Sequence, residues 1–410
     1  MRNSRRQIIK TIGAGGLGIV VPAISIKSVF GQQSQNIKIG FPTPLTGPFS
    51  AEAKDQVQAA QLAIKHFNEN GGLNGRMAEL LVRDDKLKPG EAATRTLELI
   101  ENDKVDFLVG ALSASVQLAV NEVAKARGVI YNSISQSDAI NESSDFSKYT
   151  FHEALNPHMT AGAVGRHVFK KGQKIAFLTA DYAYGHEMVN GFKNVAEEMG
   201  LTVLADIRHP AGATDYSIFL PRIQNLRPDV LAICNFGRDQ LNSIKQATSF
   251  GLKKQMQIVV PVLLYNQRLA GSPDAFEGVI GAANYHWTLE EQSDSARKFN
   301  DAYRKEYGGA VPSDYGAYGY VGVKTILDAV LKVESTAADD VIAELEAMKY
   351  DYYKGVQYFR KCDHQSVQPI LIISSKKESE MRNEFDVFDI LEVQEGSEDV
   401  LRSCNELGLA

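Results

Sequence analysis

Short apolar segments alternate with amphipathic segments along most of this chain, and no other feature limits its fold as strongly. The segments at 37–41 and 105–110 have the length and apolar content of buried strands. Between such segments, apolar residues recur at spacings of three and four, as at Val57, Ala60 and Ile64, which is typical of a helix with one buried face. Strands that alternate with helices predict parallel sheets covered by helices on both faces.

The alternation occurs in two runs that are followed by a shorter remainder. The first run starts at Ile37, and the second starts at about Pro157. The remainder adds helices and one more strand but is too short for a third domain. We therefore predict an α/β protein with two doubly wound, Rossmann-like lobes. The predicted N-terminal lobe comprises residues 37–155 plus about 285–358, and the predicted C-terminal lobe comprises 156–284 plus about 359–410.

Two such lobes predict a ligand cleft between them. Open α/β sheets bind ligands in the crevice beyond the carboxyl ends of their strands. Lobes that are joined by several chain crossings can place these ends on opposite sides of one cleft. A cleft of this kind closes around a small molecule by hinge motion.

The first 31 residues predict a signal peptide. The pair Arg5 and Arg6 precedes a glycine-rich apolar run and small residues that end at Gly31, as in a Tat-type export signal. The run also fits G-x-G-x-x-G at 13–18, but a dinucleotide site needs a preceding strand and an acidic residue about 20 positions later. Here basic residues precede the glycine segment, and the first acidic residue after it is Glu52, so neither requirement is met. We therefore favour a signal peptide, which implies export to the periplasm.

The charge and the motifs of the mature chain exclude several classes of function. Without the leader, 39 basic residues face 50 acidic ones, and this net charge of −11 argues against a nucleic-acid partner. The longest apolar run, 258–265, is too short to span a bilayer. The mature chain has no phosphate loop, no nucleophile motif and no metal-ligand spacing. We therefore expect no enzyme activity, no cofactor, no metal and no transmembrane segment.

Several short motifs together resemble those of one known family. They are Pro-Leu-Thr-Gly-Pro at 44–48, Phe-Asn-Glu-Asn-Gly-Gly-Leu-Asn-Gly at 67–75 and Ala-Asp-Tyr-Ala-Tyr-Gly at 180–185. In this order and spacing, the chain resembles the type I periplasmic solute-binding proteins of ABC transporters, of the branched-chain amino acid and amide group. The resemblance covers essentially the whole mature chain. It implies capture of a small solute and its delivery to a membrane permease, with no chemistry on the solute.

The resemblance places ligand contacts on two pairs of serines. Ser113 and Ser115 match positions at which the family holds a ligand carboxylate, and the helix that begins there favours an anion independently. Ser135 and Ser137, after the fourth strand, match a second set of hydroxyl and backbone contacts. Serine also caps helices and occurs in polar loops, so a purely structural role stays open for all four.

Three aromatic residues match binding positions in the second half of the chain. Tyr184 and Phe236 follow predicted strands, and Tyr315 opens a predicted helix. Aromatic faces at strand ends shield a ligand from water and contribute a large buried area. An ordinary core role is the alternative for each of them.

One matching position departs from the family pattern and leaves the ligand class open. Amino-acid binders place a carboxylate after the strand near 258–262, where it pairs with the ligand ammonium, but here the matching residue is Val262. Burial of the ligand ammonium without a counter-charge would cost on the order of several kcal/mol. Glu52, at a position that is often aromatic in the family, could supply the charge from the other lobe. Otherwise the ligand is a small organic acid or an amide, which could be aromatic.

The sequence around the three cysteines predicts different roles for them. Cys234 lies in the apolar segment 230–234 and is expected to be an inert core thiol. Cys362 and Cys404 lie in polar sequence, and an oxidising periplasm would allow them to form a disulfide. Two independent thiols are the alternative.

Three classes of function therefore remain to be compared. A transport binding protein is the first. The second is a periplasmic sensor of the same fold, which would present a bound amide or amino acid to a receptor or regulator. The third is a periplasmic oxidoreductase or hydrolase, because Tat export often accompanies cofactor enzymes, but the mature chain lacks their motifs.

Overall fold

Strands and helices alternate as the sequence predicts. The computed structural model describes residues 35–409, so the predicted signal peptide with Arg5 and Arg6 lies outside the described residues. The strands are β1 (Ile37–Thr43), β2 (Ala78–Asp84), β3 (Phe107–Gly110), β4 (Ile130–Ser133), β5 (Thr150–His152), β6 (Lys174–Ala180), β7 (Thr202–His209), β8 (Val230–Cys234), β9 (Gln257–Val262), β10 (Ile280–Ala283), β11 (Tyr358–Phe359), β12 (Ser366–Val367), β13 (Ile370–Ser375) and β14 (Phe388–Gln394). The helices are α1 (Ser50–Glu69), α2 (Pro89–Glu101), α3 (Ala114–Arg127), α4 (Pro157–Val168), α5 (Ala183–Glu198), α6 (Leu220–Leu226), α7 (Arg238–Ser249), α8 (Tyr265–Ala270), α9 (Pro273–Phe276), α10 (Asp294–Glu306), α11 (Asp314–Val333) and α12 (Ala338–Ala347).

The first sheet is parallel throughout, with the strand order β2-β1-β3-β4-β5. Helices α2 and α3 pack together beside it, while α1 packs against α11, which also contacts β3 and β4. Strands β3 and β4 are buried along their whole length, as expected for a parallel sheet with both faces covered. Pro89 begins α2, and Gly128 ends α3 in the left-handed conformation.

The second sheet has the order β14-β13-β10-β9-β8-β6-β7. Strands β6 to β10 are parallel, and β13 and β14 add an antiparallel edge. Helix α4 packs on β9, β10 and β13, and α5 contacts β6 and β8. We call each sheet with the helices that pack on it a lobe. The two-lobed α/β architecture is confirmed, and the predicted residue boundaries of the lobes stay a prediction.

The chain passes between the two sheets three times, and the third crossing is hydrogen-bonded to each of the other two. Glu153, in the crossing after β5, accepts hydrogen bonds from Tyr350 Oη (2.7 Å) and Gln357 Nε2 (3.0 Å), both in the crossing before β13. Asn284, in the crossing after β10, accepts hydrogen bonds from Tyr353 and Lys354. These buried contacts connect the segments that join the two lobes.

Trp287, the single tryptophan of the sequence, follows the second crossing directly. Its indole N–H donates to the carbonyl oxygen of Phe385 at 2.9 Å. The guanidinium groups of Arg304 and Arg382 lie 5.8 Å and 5.7 Å from the ring centroid, within the range of a cation–π contact. The ring is therefore buried between two cations.

A disulfide joins Cys362 of the third crossing to Cys404 of the C-terminal tail, with the two Cα atoms 6.2 Å apart. The tail is also held by an ion pair between Arg402 and Glu142 (2.6 Å). Cys234 is a free thiol that is fully buried in β8. The tail is thus fastened to the body of the protein at two points.

Candidate functional site

The nine residues predicted to bind a ligand all lie where a strand ends or a helix begins. Eight of them are buried, and Ser115 is partly exposed. The contributing places are the starts of α1, α3, α5 and α11, the segments that follow β4 and β8, and the last residue of β9; the residues are Glu52, Ser113, Ser115, Ser135, Ser137, Tyr184, Phe236, Val262 and Tyr315. The carboxyl ends of both sheets therefore supply the candidate site, in a closed arrangement of the lobes.

Phe236 is at the centre of an aromatic cluster from both lobes. Its ring centroid lies 5.7 Å from Tyr184 and 5.2 Å from Tyr315, two of the other predicted residues. The ring of Phe49, which precedes α1 in the N-terminal lobe, lies 4.8 Å away. A Cβ atom on the neighbouring Gly237 would come within 2.6 Å of Phe49, and Gly237 has a φ of +58°. Glycine is therefore required where the two lobes approach this closely.

Glu52 joins the two lobes through one of its carboxylate oxygens. Oε1 accepts a hydrogen bond of 2.7 Å from Gln267 Nε2 on α8 of the C-terminal lobe. One turn further along α1, Asp55 Oδ2 accepts from Asn266 of the same helix at 2.8 Å. Two carboxylate–amide contacts thus connect α1 to α8.

The second oxygen of Glu52 is buried without a hydrogen-bond partner, and the same holds for one oxygen of Asp314. Burial raises the pKa of Glu52 to about 7, against the lowering effect of the hydrogen bond from Gln267. Burial and the charge of Glu52 raise the pKa of Asp314 well above its usual range. Asp314 was not predicted as a site residue, because an acidic residue at the start of a helix is common and stabilises it without any ligand.

Ser137 connects the lobes, and its hydroxyl is already occupied. It donates to Glu187 Oε1 on α5 at 3.0 Å, and the backbone N–H of Asp138 donates to Glu187 Oε2 at 2.7 Å. Burial and the nearby charge of Asp138 raise the pKa of Glu187 to about 8. Glu187 gave no signal in the sequence, since it is one of several polar residues of an amphipathic helix.

The other serines have free polar atoms or make different contacts. Ser135 Oγ is buried without a partner, and its carbonyl oxygen accepts a 2.7 Å hydrogen bond from His152 Nε2. Ser113 is the N-cap residue of α3, but its side chain makes no capping hydrogen bond. The structural alternative of helix capping is therefore not realised by the Ser113 hydroxyl.

Val262 ends β9 with a buried apolar side chain. Its carbonyl oxygen accepts a hydrogen bond from Gln240 Nε2 at 2.7 Å, and Gln240 Oε1 accepts from the N–H of Leu264 at 3.1 Å. Gln240 thereby orders the backbone after β9. The strand end offers no charged side chain at this position.

Five buried polar atoms of the candidate site and of its sequence neighbours lack a hydrogen-bond partner. Beside Glu52 Oε2 and Ser135 Oγ, the hydroxyl of Tyr184, the Oε1 atom of Gln136 and Asp314 Oδ2 are all buried without a partner. Buried polar atoms are normally hydrogen-bonded, so a group of exceptions from both lobes indicates a place for a polar ligand. An open surface cavity of about 420 Å³ near Lys253 and Asp274 contains none of these residues.

Within residues 35–409, no group of three or more His, Cys, Asp or Glu side chains is placed to hold a metal ion. Among the same residues, no helix has the length and apolar character needed to cross a membrane.

Known proteins are similar to this chain in sequence and in fold. The Leu/Ile/Val-binding protein homolog 7 of Brucella abortus (strain 2308) is 25% identical over 332 residues, which are 77% of this chain and 82% of that protein. A periplasmic binding protein from Burkholderia mallei has a TM-score of 0.84 at 28% identity, with 92% of this chain and 98% of that chain covered. The solute-binding protein of an ABC transporter from Rhodopseudomonas palustris BisB5, solved with 3,4-dihydroxybenzoic acid, has a TM-score of 0.78 at 24% identity, with 89% and 98% covered.

The family match covers most of the chain. Residues 36–380 match the family that is described as periplasmic binding protein. The family and the structural neighbours are binding proteins and not enzymes, which confirms the prediction of a non-enzymatic protein. The chain belongs to the periplasmic binding protein family.

Proposed function

We propose that this protein is the substrate-binding component of an ABC transporter and that it captures a small solute by closure of the cleft. The buried polar atoms without partners, contributed by both lobes, are the observation that supports this proposal most directly. A solute between the lobes would supply the missing partners and would be enclosed when the lobes close. Delivery to a permease in the inner membrane follows from the family and is part of the proposal.

The proposed solute is a branched-chain amino acid, an amide or a small or aromatic carboxylate. The serines at the start of α3 and after β4 suit a carboxylate or an amide oxygen, because hydroxyl groups and helix N-termini donate hydrogen bonds. The rings of Tyr184, Phe236 and Tyr315 suit an apolar side chain or an aromatic ring. The Brucella relative named for Leu/Ile/Val and the Rhodopseudomonas neighbour with a dihydroxybenzoic acid represent two of these ligand classes.

The proposed location is the periplasm, with export of the folded protein by the Tat route. The family is one of periplasmic proteins, and the arginine pair Arg5 and Arg6 matches a Tat signal. Replacement of both arginines by lysine should leave the protein in the cytoplasm if the Tat route is used. Export that continues after this change would contradict the Tat route and leave the binding function in place.

A thermal-shift screen of the mature protein tests the binding function. The compounds are amino acids, amides, 2-oxo acids and aromatic carboxylates. A solute that binds only the folded state raises the unfolding midpoint by mass action, by an amount that grows with its concentration. We expect a hit among the carboxylates or amides. If none of these classes shifts the midpoint while a nucleotide or a flavin does, the proposed function is wrong.

A further inference from the structure

Two carboxylates of the N-terminal lobe stand together at the cleft. Glu52 is in the first turn of α1, and Asp314 is the first residue of α11. The two helices are in close contact, since Ser313 Oγ donates to Asp55 Oδ2 on α1 at 2.6 Å. Glu52 Oε2 and Asp314 Oδ2 are both buried and both lack a hydrogen-bond partner. The protein thus presents two unsatisfied carboxylate oxygens on adjoining helix ends.

In the part of the chain that the structure describes, no buried lysine or arginine is available to neutralise these two groups. Among residues 35–409, four lysine or arginine side chains are buried, and each is bound elsewhere: Arg268 to Ser375, Lys354 to Asn284 and Gln368, Arg360 to Asp363, and Lys376 to Asp386. Arg238 acts on Glu52 from a distance and is itself exposed to solvent. Buried carboxylates without a counter-ion are costly. A positively charged partner would therefore stabilise these two groups, and the described residues do not supply one.

The surroundings of the two carboxylates also suit a cation. Tyr315 follows Asp314 in the N-terminal lobe, and its ring contacts that of Phe236. Phe236 in turn contacts Tyr184, and both of these residues belong to the C-terminal lobe. The hydroxyl of Tyr184 is buried and unpartnered, so it can accept a hydrogen bond. Aromatic faces attract cations, most strongly where water is excluded.

We propose that the solute carries a protonated amine, and that Glu52 and Asp314 bind this amine from the N-terminal lobe. The inference rests on the proposed function and narrows its ligand class to amine-bearing solutes. An ammonium group donates three hydrogen bonds, so it can satisfy both free oxygens, and its single positive charge balances one of the two carboxylate charges. The counter-charge that is missing at Val262 is then supplied from α1 and α11, on the opposite side of the cleft.

Matched compounds separate the amine from the rest of the ligand. Each L-amino acid is tested by thermal shift and calorimetry beside the carboxylic acid that lacks its amine, as with L-leucine and 4-methylpentanoate or L-phenylalanine and 3-phenylpropanoate. We expect the amine-bearing member of a pair to bind at least about tenfold more tightly, because the other member leaves buried carboxylates unpaired. If the deaminated acid binds equally well or better, the inference is wrong while the proposed function stands. If neither these compounds nor the other carboxylates and amides bind, the proposed function itself is wrong.

Two isosteric substitutions test the residues. Glu52→Gln keeps an oxygen that can accept from Gln267, and Asp314→Asn keeps the size of the side chain. We expect each to weaken binding of the amine-bearing compound at least about tenfold and to leave the weak binding of its deaminated analogue unchanged. Glu69→Gln, at the exposed end of the same helix α1, is the matched control and should bind as the wild type does. An equal loss of affinity for both members of the pair would indicate a structural role and overturn the assignment of Glu52 and Asp314 to the amine. If a variant does not fold, the comparison of the paired compounds on the wild-type protein decides the question.

Discussion

At the scale of single residues, Phe236 has the clearest expected effect. Its ring contacts Phe49 of the N-terminal lobe and Tyr184 of its own lobe, and both contacts are at the cleft. We expect Phe236→Ala to weaken binding of the screened ligand by at least about tenfold, since loss of a buried aromatic contact costs about 1.5–3 kcal/mol or more. Calorimetry measures this loss, and a urea unfolding curve shows whether the variant is folded.

Phe250→Ala provides the control for this prediction. Phe250 follows α7 in the same lobe, and 38% of its surface is exposed. Its removal should leave affinity unchanged. An unchanged affinity in Phe236→Ala as well would remove Phe236 from the site.

The sequence predicted single site residues only where the family resemblance provides a matching position. Phe236 and Tyr184 were identified in this way, and the structure places their rings in contact. Gln136 and Asp314 escaped prediction because a polar loop residue and a helix-initiating acid are common for structural reasons. What distinguishes them is an unpartnered buried atom, and this property exists only in the folded chain. The ligand roles of all these residues stay predictions.

At the scale of elements, the contact between α1 and α11 is sensitive to one added methyl group. A Cβ atom on Gly319 of α11 would come within 2.0 Å of the backbone carbonyl oxygen of Gln56 in α1. Because a helix backbone cannot move aside like a flexible side chain, Gly319→Ala should reduce the free energy of unfolding by about 1–3 kcal/mol. Urea denaturation of the variant and the wild type measures the difference.

Gly90→Ala is the matched control for the helix contact. Gly90 lies at the start of α2, and no atom comes within 4 Å of the position of an added Cβ. We expect its unfolding free energy to remain within about 0.5 kcal/mol of the wild type. A Gly319→Ala variant that is equally stable would show that the helices can separate without cost.

Long buried elements could be predicted, whereas short or exposed ones could not. Strands such as β6 and β8 are apolar along most of their length because helices cover both faces of the sheet. β5 has three residues, which is too short for a periodic pattern, and β14 is an edge strand that is mostly exposed. Their pairing is determined by neighbouring strands rather than by local sequence.

At the scale of the whole molecule, a carboxylate that joins the lobes predicts a dependence of stability on pH. Burial, with the charges of Asp138 and Glu142, raises the pKa of Glu187 from 4.5 to about 8. A group whose pKa is raised by folding contributes most below its ordinary pKa, and this contribution is lost as the pH rises through about 8. We expect Glu187→Gln, which cannot ionise, to gain up to about 4 kcal/mol relative to the wild type between pH 5 and pH 9, as linkage gives for this change in pKa.

Urea unfolding at several pH values measures this difference. Glu197→Gln, on the exposed face of the same helix α5, is the control and should follow the wild type at each pH. The explanation is wrong if the difference between Glu187→Gln and the wild type does not change with pH.

The disulfide between Cys362 and Cys404 should stabilise the whole chain. It closes a loop with a sequence separation of 42 residues. In the chain-entropy model, removal of such a link costs roughly 4 kcal/mol. We expect the double variant Cys362→Ser, Cys404→Ser to have a correspondingly lower midpoint in urea. A reductant should lower the midpoint of the wild type and leave that of the double variant unchanged; an equal effect on both would show that the link does not act in this way.

The position of Trp287 gives the protein an intrinsic optical probe. The indole follows the second crossing, donates to Phe385 and lies between two guanidinium groups, and the sequence contains no other tryptophan. Its fluorescence therefore comes from one place, beside the second crossing. A movement of the crossing that altered the distance from the indole to either cation would alter its emission. The proposed closure of the lobes on a ligand would thus be followed in the unlabelled protein, from the emission of one ring.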